Sequence, residues 1–276
     1  MLQAQLGDPQ LRVFDCTVVI ELGPDGVSLR SGRDAWEREH IPGAGFLDLI
    51  DELAAAHPAL HFMLPPPEQF AEVMAAHGIG DDARVVLYDS QNGAWAARVW
   101  WMLHAYGFDA ATVLDGGWTK WTAEGRPTSA AAPAHPRAAF APRPRPGVFV
   151  GKDAVLEAMD DDRACVLNAL PEPLHRGEGP PIPGRRQGHI PGSANVPAES
   201  LVDPQTRAFL PEAQLRVALE AAGALGAGRV ITYCGGGIAA SSVAFALRLL
   251  GHKGVSVYDA SLEEWASDPS LPIEAG

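Results

Sequence analysis

Short, continuous apolar runs alternate along the chain with segments in which apolar residues recur at helical spacing. The apolar runs, rich in β-branched residues, lie at 11–20, 84–89, 111–117, 165–169, 230–234 and 255–259. Continuous runs of this length are typical of parallel strands that are buried on both faces. Helical patterns occupy 67–78, 96–106, 152–159, 212–222 and 240–250. The alternation predicts an α/β fold, with mainly parallel sheets flanked by helices.

The same order of motifs occurs twice along the chain. A His-Ile-Pro-Gly sequence at 40–43 recurs at 189–192, 149 positions later. Tyr-Asp at the end of one apolar run, with Asp89, recurs as Tyr-Cys with Cys234, 145 positions later. Because the offset drifts by so little, we interpret the chain as a tandem duplication of one α/β domain. One copy carries a cysteine at a position where the other carries Asp89.

A change of composition marks the expected boundary between the two copies. Proline, alanine and arginine dominate residues 127–147, a composition that favours extended conformation and is typical of linkers. We therefore predict an N-terminal domain over 1–126, a Pro-rich linker over 127–147 and a C-terminal domain over 148–276.

Composition and charge narrow the range of functions. The 276 residues carry a formal net charge of −13, which argues against binding to nucleic acid or to an anionic membrane. No apolar run is long enough for a membrane span, and no export signal is readable. The three cysteines have no zinc-like spacing and suit a reducing compartment. We expect a cytoplasmic protein without a metal site.

Cys234 is the candidate nucleophile. It ends an apolar run and precedes three glycines, after which an alanine-rich helical segment begins. Backbone N–H groups in such a loop, and the positive end of the helix dipole, favour a thiolate over a thiol. A buried structural cysteine is the alternative. Three successive glycines argue against it, because they pack nothing and cost backbone entropy unless the chain must wrap closely around a ligand.

These motifs together resemble the tandem-domain rhodanese family of thiosulfate and 3-mercaptopyruvate sulfurtransferases. The resemblance covers essentially the whole chain and implies two rhodanese-like domains, the first without a catalytic cysteine and with Asp89 at that position. It implies that Cys234 carries sulfur as a persulfide, without a cofactor. It also implies that the loop after Cys234 binds the anionic substrate through Gly235, Gly236, Gly237, Ile238, Ala239 and Ala240.

The resemblance implies a small anionic sulfur donor, thiosulfate or 3-mercaptopyruvate, and as acceptor cyanide or a thiol such as thioredoxin or glutathione. Basic residues that usually follow the cysteine in thiosulfate-preferring relatives are absent, and so is the hydroxyl residue of mercaptopyruvate-preferring ones. The Asp-Ala-Arg of relatives reads Asn-Ala-Leu at 168–170. His175, Arg176, Arg185 and Arg186 lie in the stretch between Pro171 and Gly188, from which the family draws its donor-binding arginine. Of these we name Arg176 and Arg186 as candidate donor-binding residues, because arginine pairs well with carboxylates and sulfonates. Solvated surface charges are the alternative for both.

Two other functions are compatible with parts of the pattern. A cysteine-dependent phosphatase has a similar strand, loop and helix, but its loop should end in an arginine that binds phosphoryl oxygens. Ala240 and Ser241 stand there instead. A catalytically silent rhodanese-like module for binding or regulation is the second alternative. Retention of Cys234 argues against it, whereas loss of the usual arginines favours it.

Overall fold

The apolar runs form the strands of two separate parallel sheets. The computed structural model describes residues 2–23, 26–133 and 135–276. They divide into two units, of which the first comprises Met1–Ala56, Leu64–Arg145 and Gln205–Ala208. The second comprises His57–Met63, Pro146–Pro204 and Phe209–Gly276. The helices in the described part of the chain are all too short or too polar to span a membrane.

The first unit contains a four-stranded parallel sheet with the order β4-β1-β5-β6. Its elements are β1 (Leu11–Asp15), β2 (Val18–Gly23), β3 (Gly26–Ser31), α1 (Arg33–Arg38), β4 (Ala44–Phe46), α2 (Pro67–Ala76), β5 (Arg84–Tyr88), α3 (Ala94–Ala105), β6 (Ala111–Val113) and α4 (Gly117–Ala123). Strands β2 and β3 form an antiparallel hairpin of their own. A short 3₁₀ helix, Leu2–Gln5, precedes β1.

The second unit contains a five-stranded parallel sheet with the order β7-β11-β10-β8-β9. Its elements are β7 (Phe149–Val150), α5 (Lys152–Met159), β8 (Ala164–Asn168), α6 (Glu172–His175), β9 (Ala194–Asn195), a 3₁₀ helix (Ala198–Leu201), α7 (Glu212–Ala221), β10 (Arg229–Tyr233), α8 (Ile238–Leu249), β11 (Val255–Tyr258) and α9 (Ser261–Trp265). Two α/β units with parallel sheets confirm the predicted fold class.

Equivalent tyrosines end the central strands β5 and β10. The hydroxyl of Tyr88 accepts the N–H of Ile41 at 3.4 Å, and that of Tyr233 accepts the N–H of Ile190 at 3.0 Å. Both tyrosines are fully buried. Each strand end is thereby attached to the His-Ile-Pro-Gly motif of its own unit.

The two motif histidines have structural roles. His40 exchanges backbone hydrogen bonds with Ser129, and His189 does so with Glu274, so that each begins a short antiparallel bridge. Their rings are held by backbone carbonyls, that of His40 by Trp36 at 2.7 Å. Repetition of these contacts in both units explains why the motif occurs twice.

The apolar run at 11–20 does not form one strand as predicted. It breaks after Asp15, whose carboxylate accepts the N–H of Thr17 at 2.8 Å and the Thr17 hydroxyl at 2.5 Å. This local turn, an alternative that Asp side chains offer to a strand ladder, directs the chain into the β2–β3 hairpin.

The Pro-rich stretch follows the first unit along most of its length. The N–H of Ala138 donates to the carbonyl of Ala75 at 3.0 Å, and that of Arg143 donates to the carbonyl of Tyr106 at 2.8 Å. Within this stretch, contacts assign the residues up to Arg145 to the first unit and the residues from Pro146 to the second. The predicted linker at 127–147 therefore contains a hydrogen-bonded segment as well as the change of unit.

Candidate active site

Cys234 lies directly after β10, at the carboxyl end of the second sheet. Its residue is 2% exposed. Its N–H donates to the hydroxyl of Ser261 at 3.1 Å, and its carbonyl accepts the N–H of Leu262 at 3.0 Å. The backbone of the cysteine is therefore anchored on both sides by the start of α9.

Ser261 holds Cys234 through an uncommon backbone conformation. Its φ of 52° lies in the left-handed region, which non-glycine residues rarely adopt. Its hydroxyl donates to the carbonyl of Tyr258 at 2.8 Å while accepting the Cys234 N–H. Ser261 was not predicted as a site residue, because nothing in its local pattern distinguishes it from any serine at a helix start.

The three loop glycines differ in what requires them. Gly237, with φ 80°, has left-handed backbone and is the residue before α8. A Cβ on Gly235 would meet nothing within 4 Å, and one on Gly236 would meet only the Glu263 carboxylate oxygen, at 3.6 Å. Backbone conformation therefore explains Gly237. Gly235 and Gly236 instead leave space beside Cys234, because no protein atom lies close to where their Cβ atoms would be.

The amino end of α8 faces into this loop. Within the part of the chain that the structure describes, no side chain caps the helix. The first N–H groups of an α-helix have no partner in the helix, and they carry the positive end of its dipole. In α8 these groups belong to Ile238, Ala239 and Ala240. They are suited to bind an anion in the loop that follows Cys234.

The equivalent loop of the first unit shows such N–H groups binding an anionic side chain. The Asp89 carboxylate accepts four backbone N–H groups at 2.8 to 3.1 Å, from Gln91, Gly93, Trp95 and Ala96. Burial raises the pKa of Asp89, and the four N–H groups oppose that rise. The loop and the first turn of α3 thus enclose the oxygens of Asp89.

The helix starts of the two units correspond, although the loop after Cys234 is one residue shorter than the loop after Asp89. Trp95 and Ala96 are the second and third residues of α3, as Ala239 and Ala240 are of α8. Each helix follows a left-handed glycine, Gly93 with φ 79° in the first unit. Three of the four N–H groups that bind the Asp89 carboxylate, those of Gly93, Trp95 and Ala96, therefore have counterparts in Gly237, Ala239 and Ala240, which the sequence predicts to bind substrate.

A buried carboxylate lies against the cysteine loop. Glu263 is 6% exposed, and its Oε1 is 2.5 Å from the Arg185 guanidinium and 2.7 Å from Nδ1 of His61. Its Oε2 accepts the backbone N–H of His61 at 2.7 Å. Glu263 was not predicted as a site residue. No local signal could have found this cluster, because His61 is 202 positions from Glu263.

The two predicted donor-binding arginines make other contacts. Arg176 forms ion pairs with Glu172 and Glu178. Arg186 donates to backbone carbonyls in and after α9, those of Trp265, Ala266, Asp268 and Leu271. Arg185, which the sequence analysis did not select, is instead the arginine that binds next to the loop.

The remaining cysteines lie in different environments. Burial raises the pKa of the Cys16 thiol well above its usual value, and nearby Asp15 and Asp89 add to this. Burial also raises the pKa of Cys165, which lies on β8. A raised pKa keeps a thiol protonated and unreactive. Among residues 2–23, 26–133 and 135–276, no three His, Cys, Asp or Glu side chains are grouped to hold a metal ion.

Comparison with known proteins identifies the family of this two-unit arrangement. The family model described as "Rhodanese-like domain" matches twice, at residues 2–124 and 155–268. The chain belongs to the rhodanese family. The expectation drawn from the sequence is thereby confirmed for both halves of the chain.

Full-length relatives give the enzyme class. The 3-mercaptopyruvate sulfurtransferase of Escherichia coli K12 is 32% identical over 99% of this chain and 95% of its own length. The thiosulfate/3-mercaptopyruvate sulfurtransferase 2 of Arabidopsis thaliana is 33% identical over 99% of this chain and 84% of its own. The crystal structure of SseA from Escherichia coli, described as having the rhodanese fold, superimposes with a TM-score of 0.82 at 29% identity. It covers 94% of this chain and 95% of that one. The rhodanese-family chain is accordingly a sulfurtransferase.

Proposed function

We propose that Cys234 takes a sulfur atom from a small anionic donor, holds it as a persulfide and passes it to a nucleophilic acceptor. One observation carries the proposal. Cys234 occupies the position at which, in the first unit, an anionic side chain is bound by four backbone N–H groups. A thiolate or persulfide is also an anion, so the corresponding N–H groups of residues 235–240 are suited to stabilise it.

The reaction proceeds in two displacement steps. With thiosulfate, the Cys234 thiolate attacks the outer sulfur, the S–S bond of the donor breaks and sulfite leaves with the electron pair. With 3-mercaptopyruvate, the C–S bond breaks and the methyl group of pyruvate receives the thiol proton. In both cases the product is a Cys234 persulfide anion. Covalent catalysis of this kind gives ping-pong kinetics.

In the second step the acceptor attacks the outer sulfur of the persulfide. Cyanide takes up the sulfur atom and leaves as thiocyanate, or a thiolate takes it up and leaves as a persulfide. The Cys234 thiolate is thereby regenerated. No net oxidation or reduction of the enzyme occurs, so the cycle needs no cofactor. We propose cyanide or a thiol, such as that of thioredoxin or glutathione, as the acceptor.

Two kinds of observation support thiosulfate or 3-mercaptopyruvate as the donor, and the second favours 3-mercaptopyruvate. Relatives named for 3-mercaptopyruvate alone and for both donors match the chain along nearly its whole length. The loop from Gly235 to Ala240 has no basic side chain, which favours 3-mercaptopyruvate over thiosulfate. Of the arginines considered, the contacts of Arg185 support a role beside the loop better than those of Arg176 or Arg186.

The test is sulfur loading at Cys234. Incubation with each donor, followed by peptide mass spectrometry, should show one added sulfur atom on the Cys234 peptide and a higher loading rate with 3-mercaptopyruvate. Cys234→Ser should abolish loading and lower the rate of transfer to cyanide at least about a thousandfold. Cys165→Ser, which changes a thiol on β8, is the matched control and should transfer at the parental rate. An unchanged rate in Cys234→Ser would instead identify a catalytically silent module.

A further inference from the structure

The carboxylate of Glu263 lies against the loop that contains Cys234. The backbone N–H of Glu263 donates to the carbonyl of Gly235 at 2.8 Å. Its Oε2 lies 3.6 Å from the position that a Cβ on Gly236 would occupy. Because the side chain is almost completely buried, water screens its charge only weakly. A negative group therefore borders the space next to the cysteine.

This carboxylate is paired with the Arg185 guanidinium and also contacts the imidazole ring of His61. The guanidinium of Arg185 forms an ion pair with Glu263 at 2.5 Å, and its side chain is 26% exposed. The loop itself has no charged side chain from Cys234 to Ser241. Glu263 and Arg185 thus form a partly buried pair of opposite charges beside the loop. If either side chain lost its charge, the charge of the other would no longer be balanced near Cys234.

We propose that Glu263 is a specificity-determining residue: with Arg185 it keeps the surroundings of Cys234 near neutral, so that donors with one negative charge are favoured over dianions. This inference rests on the proposed function, because the donors are those of the proposed sulfur transfer. The physical reason is that Glu263 offsets the attraction that Arg185 would otherwise exert on an anion. That attraction grows with each charge on the incoming molecule.

A structural role makes a different prediction. If the pair only attaches the segment 57–63 and the loop before His189 to α9, removing either partner loosens the same contact. Both variants should then change the reactivity of Cys234 in the same direction. If the pair sets local charge, the two variants must act in opposite directions, and the double variant must restore the parental preference.

The experiment compares an anionic and a neutral reagent of similar size at Cys234. Alkylation rates with iodoacetate and iodoacetamide are measured in the parent, Glu263→Gln, Arg185→Gln and the double variant, and peptide mass spectrometry separates Cys234 from Cys16 and Cys165. We expect the iodoacetate to iodoacetamide ratio to rise about tenfold in Glu263→Gln and to fall about tenfold in Arg185→Gln. It should return to within about twofold of the parent in the double variant.

Glu264→Gln is the matched control, since it removes the same charge one residue further along α9. The Glu264 carboxylate accepts the hydroxyl of Tyr258 at 2.7 Å, and this variant should change the ratio less than about twofold. Equal ratios in all variants, or a shift of both single variants in one direction, would overturn the proposal.

The sulfur donors provide the second readout. The ratio of kcat/KM for thiosulfate to that for 3-mercaptopyruvate should rise in Glu263→Gln and fall in Arg185→Gln. Because alkylation requires no sulfur transfer, the two hypotheses fail separately. Opposite shifts in alkylation without sulfur loading by either donor would leave the charge role of Glu263 standing and refute the proposed function.

Discussion

The loops after β5 and β10 both lead through a left-handed glycine into a helix, but they differ by one residue in length and in what fills them. In the first unit the Asp89 carboxylate accepts four N–H groups of its own loop and helix. In the second, Cys234 stands at that position, and glycines follow that leave space beside it. The difference shows how a duplicated domain can keep one fold with two uses. A loop that is filled by its own side chain stabilises the domain, and a loop that leaves its N–H groups to an incoming anion can bind substrate.

The strand ends beside the two loops differ in charge. Asp15 is paired in register with Tyr88, and Asn168 is paired with Tyr233, so the two residues are equivalent. Burial raises the pKa of Asp15 to about 7, with a contribution from Asp89. In the second unit a neutral amide at this position binds Nδ1 of His175 at 3.0 Å. The first unit therefore has a buried titratable group that the second lacks.

The largest effect should follow from emptying the filled loop. Asp89→Ala leaves four N–H groups without their acceptor, and we expect the free energy of unfolding of the first unit to fall by about 3–5 kcal/mol. Cys234→Ala should cost the second unit only about 1 kcal/mol. Urea unfolding followed by hydrogen exchange in each unit measures both. Similar costs at the two positions would contradict the comparison.

Gly117, at the start of α4, should tolerate an added methyl group less well than a glycine in an open turn. Gly117, the counterpart of Ser261, has φ 48°, and a Cβ there would lie too close to the Asp89 carbonyl oxygen. Gly117→Ala should therefore lower the free energy of unfolding by about 2–4 kcal/mol. Gly125→Ala is the matched control, because Gly125 has φ 62° with nothing within 4 Å of its Cβ position. Its cost should be about 1 kcal/mol.

The charge difference at the strand ends should appear as a pH dependence. Folded Asp15 keeps its proton up to about pH 7, whereas its unfolded pKa is near 3.8. Its contribution to stability is therefore complete below about pH 4 and is lost as pH rises through 7. Asp15→Asn, which installs the amide of the second unit, removes this loss. Between pH 5 and pH 8, the free energy of unfolding of the variant should gain about 2–3 kcal/mol on the parent. Parallel curves would show that burial does not hold this proton.

The smallest effect on stability is expected for a substitution at Gly236, where the loop after Cys234 is open. Gly236→Ser introduces the hydroxyl that the family resemblance leads one to expect, and its Cβ would be 3.6 Å from the Glu263 carboxylate oxygen. The free energy of unfolding should change by less than about 1 kcal/mol. Thermal unfolding measures this. A larger loss of stability would contradict the space that the structure shows beside Gly236.

Local pattern was sufficient to predict most of the regular structure. The α5 helix was predicted with its observed bounds, Lys152–Met159, and α7 to within one residue. The β2–β3 hairpin was missed, because the turn at Thr17 depends on a side-chain contact inside a continuous apolar run. The α1 helix was also missed, since its six residues are too few to show a helical period.

The sequence by itself determined that one α/β domain occurs twice and that a cysteine followed by glycines stands at the carboxyl end of a strand in the second copy. These features are local, since a strand, a tight loop and a helix start depend on neighbouring residues. Tertiary structure alone decided which charges border that cysteine, because Arg185 and Glu263 are 78 positions apart. It also decided that Arg186 is bound by backbone carbonyls. Long-range ion pairs depend on how loops pack, and residue spacing along the chain does not contain that information.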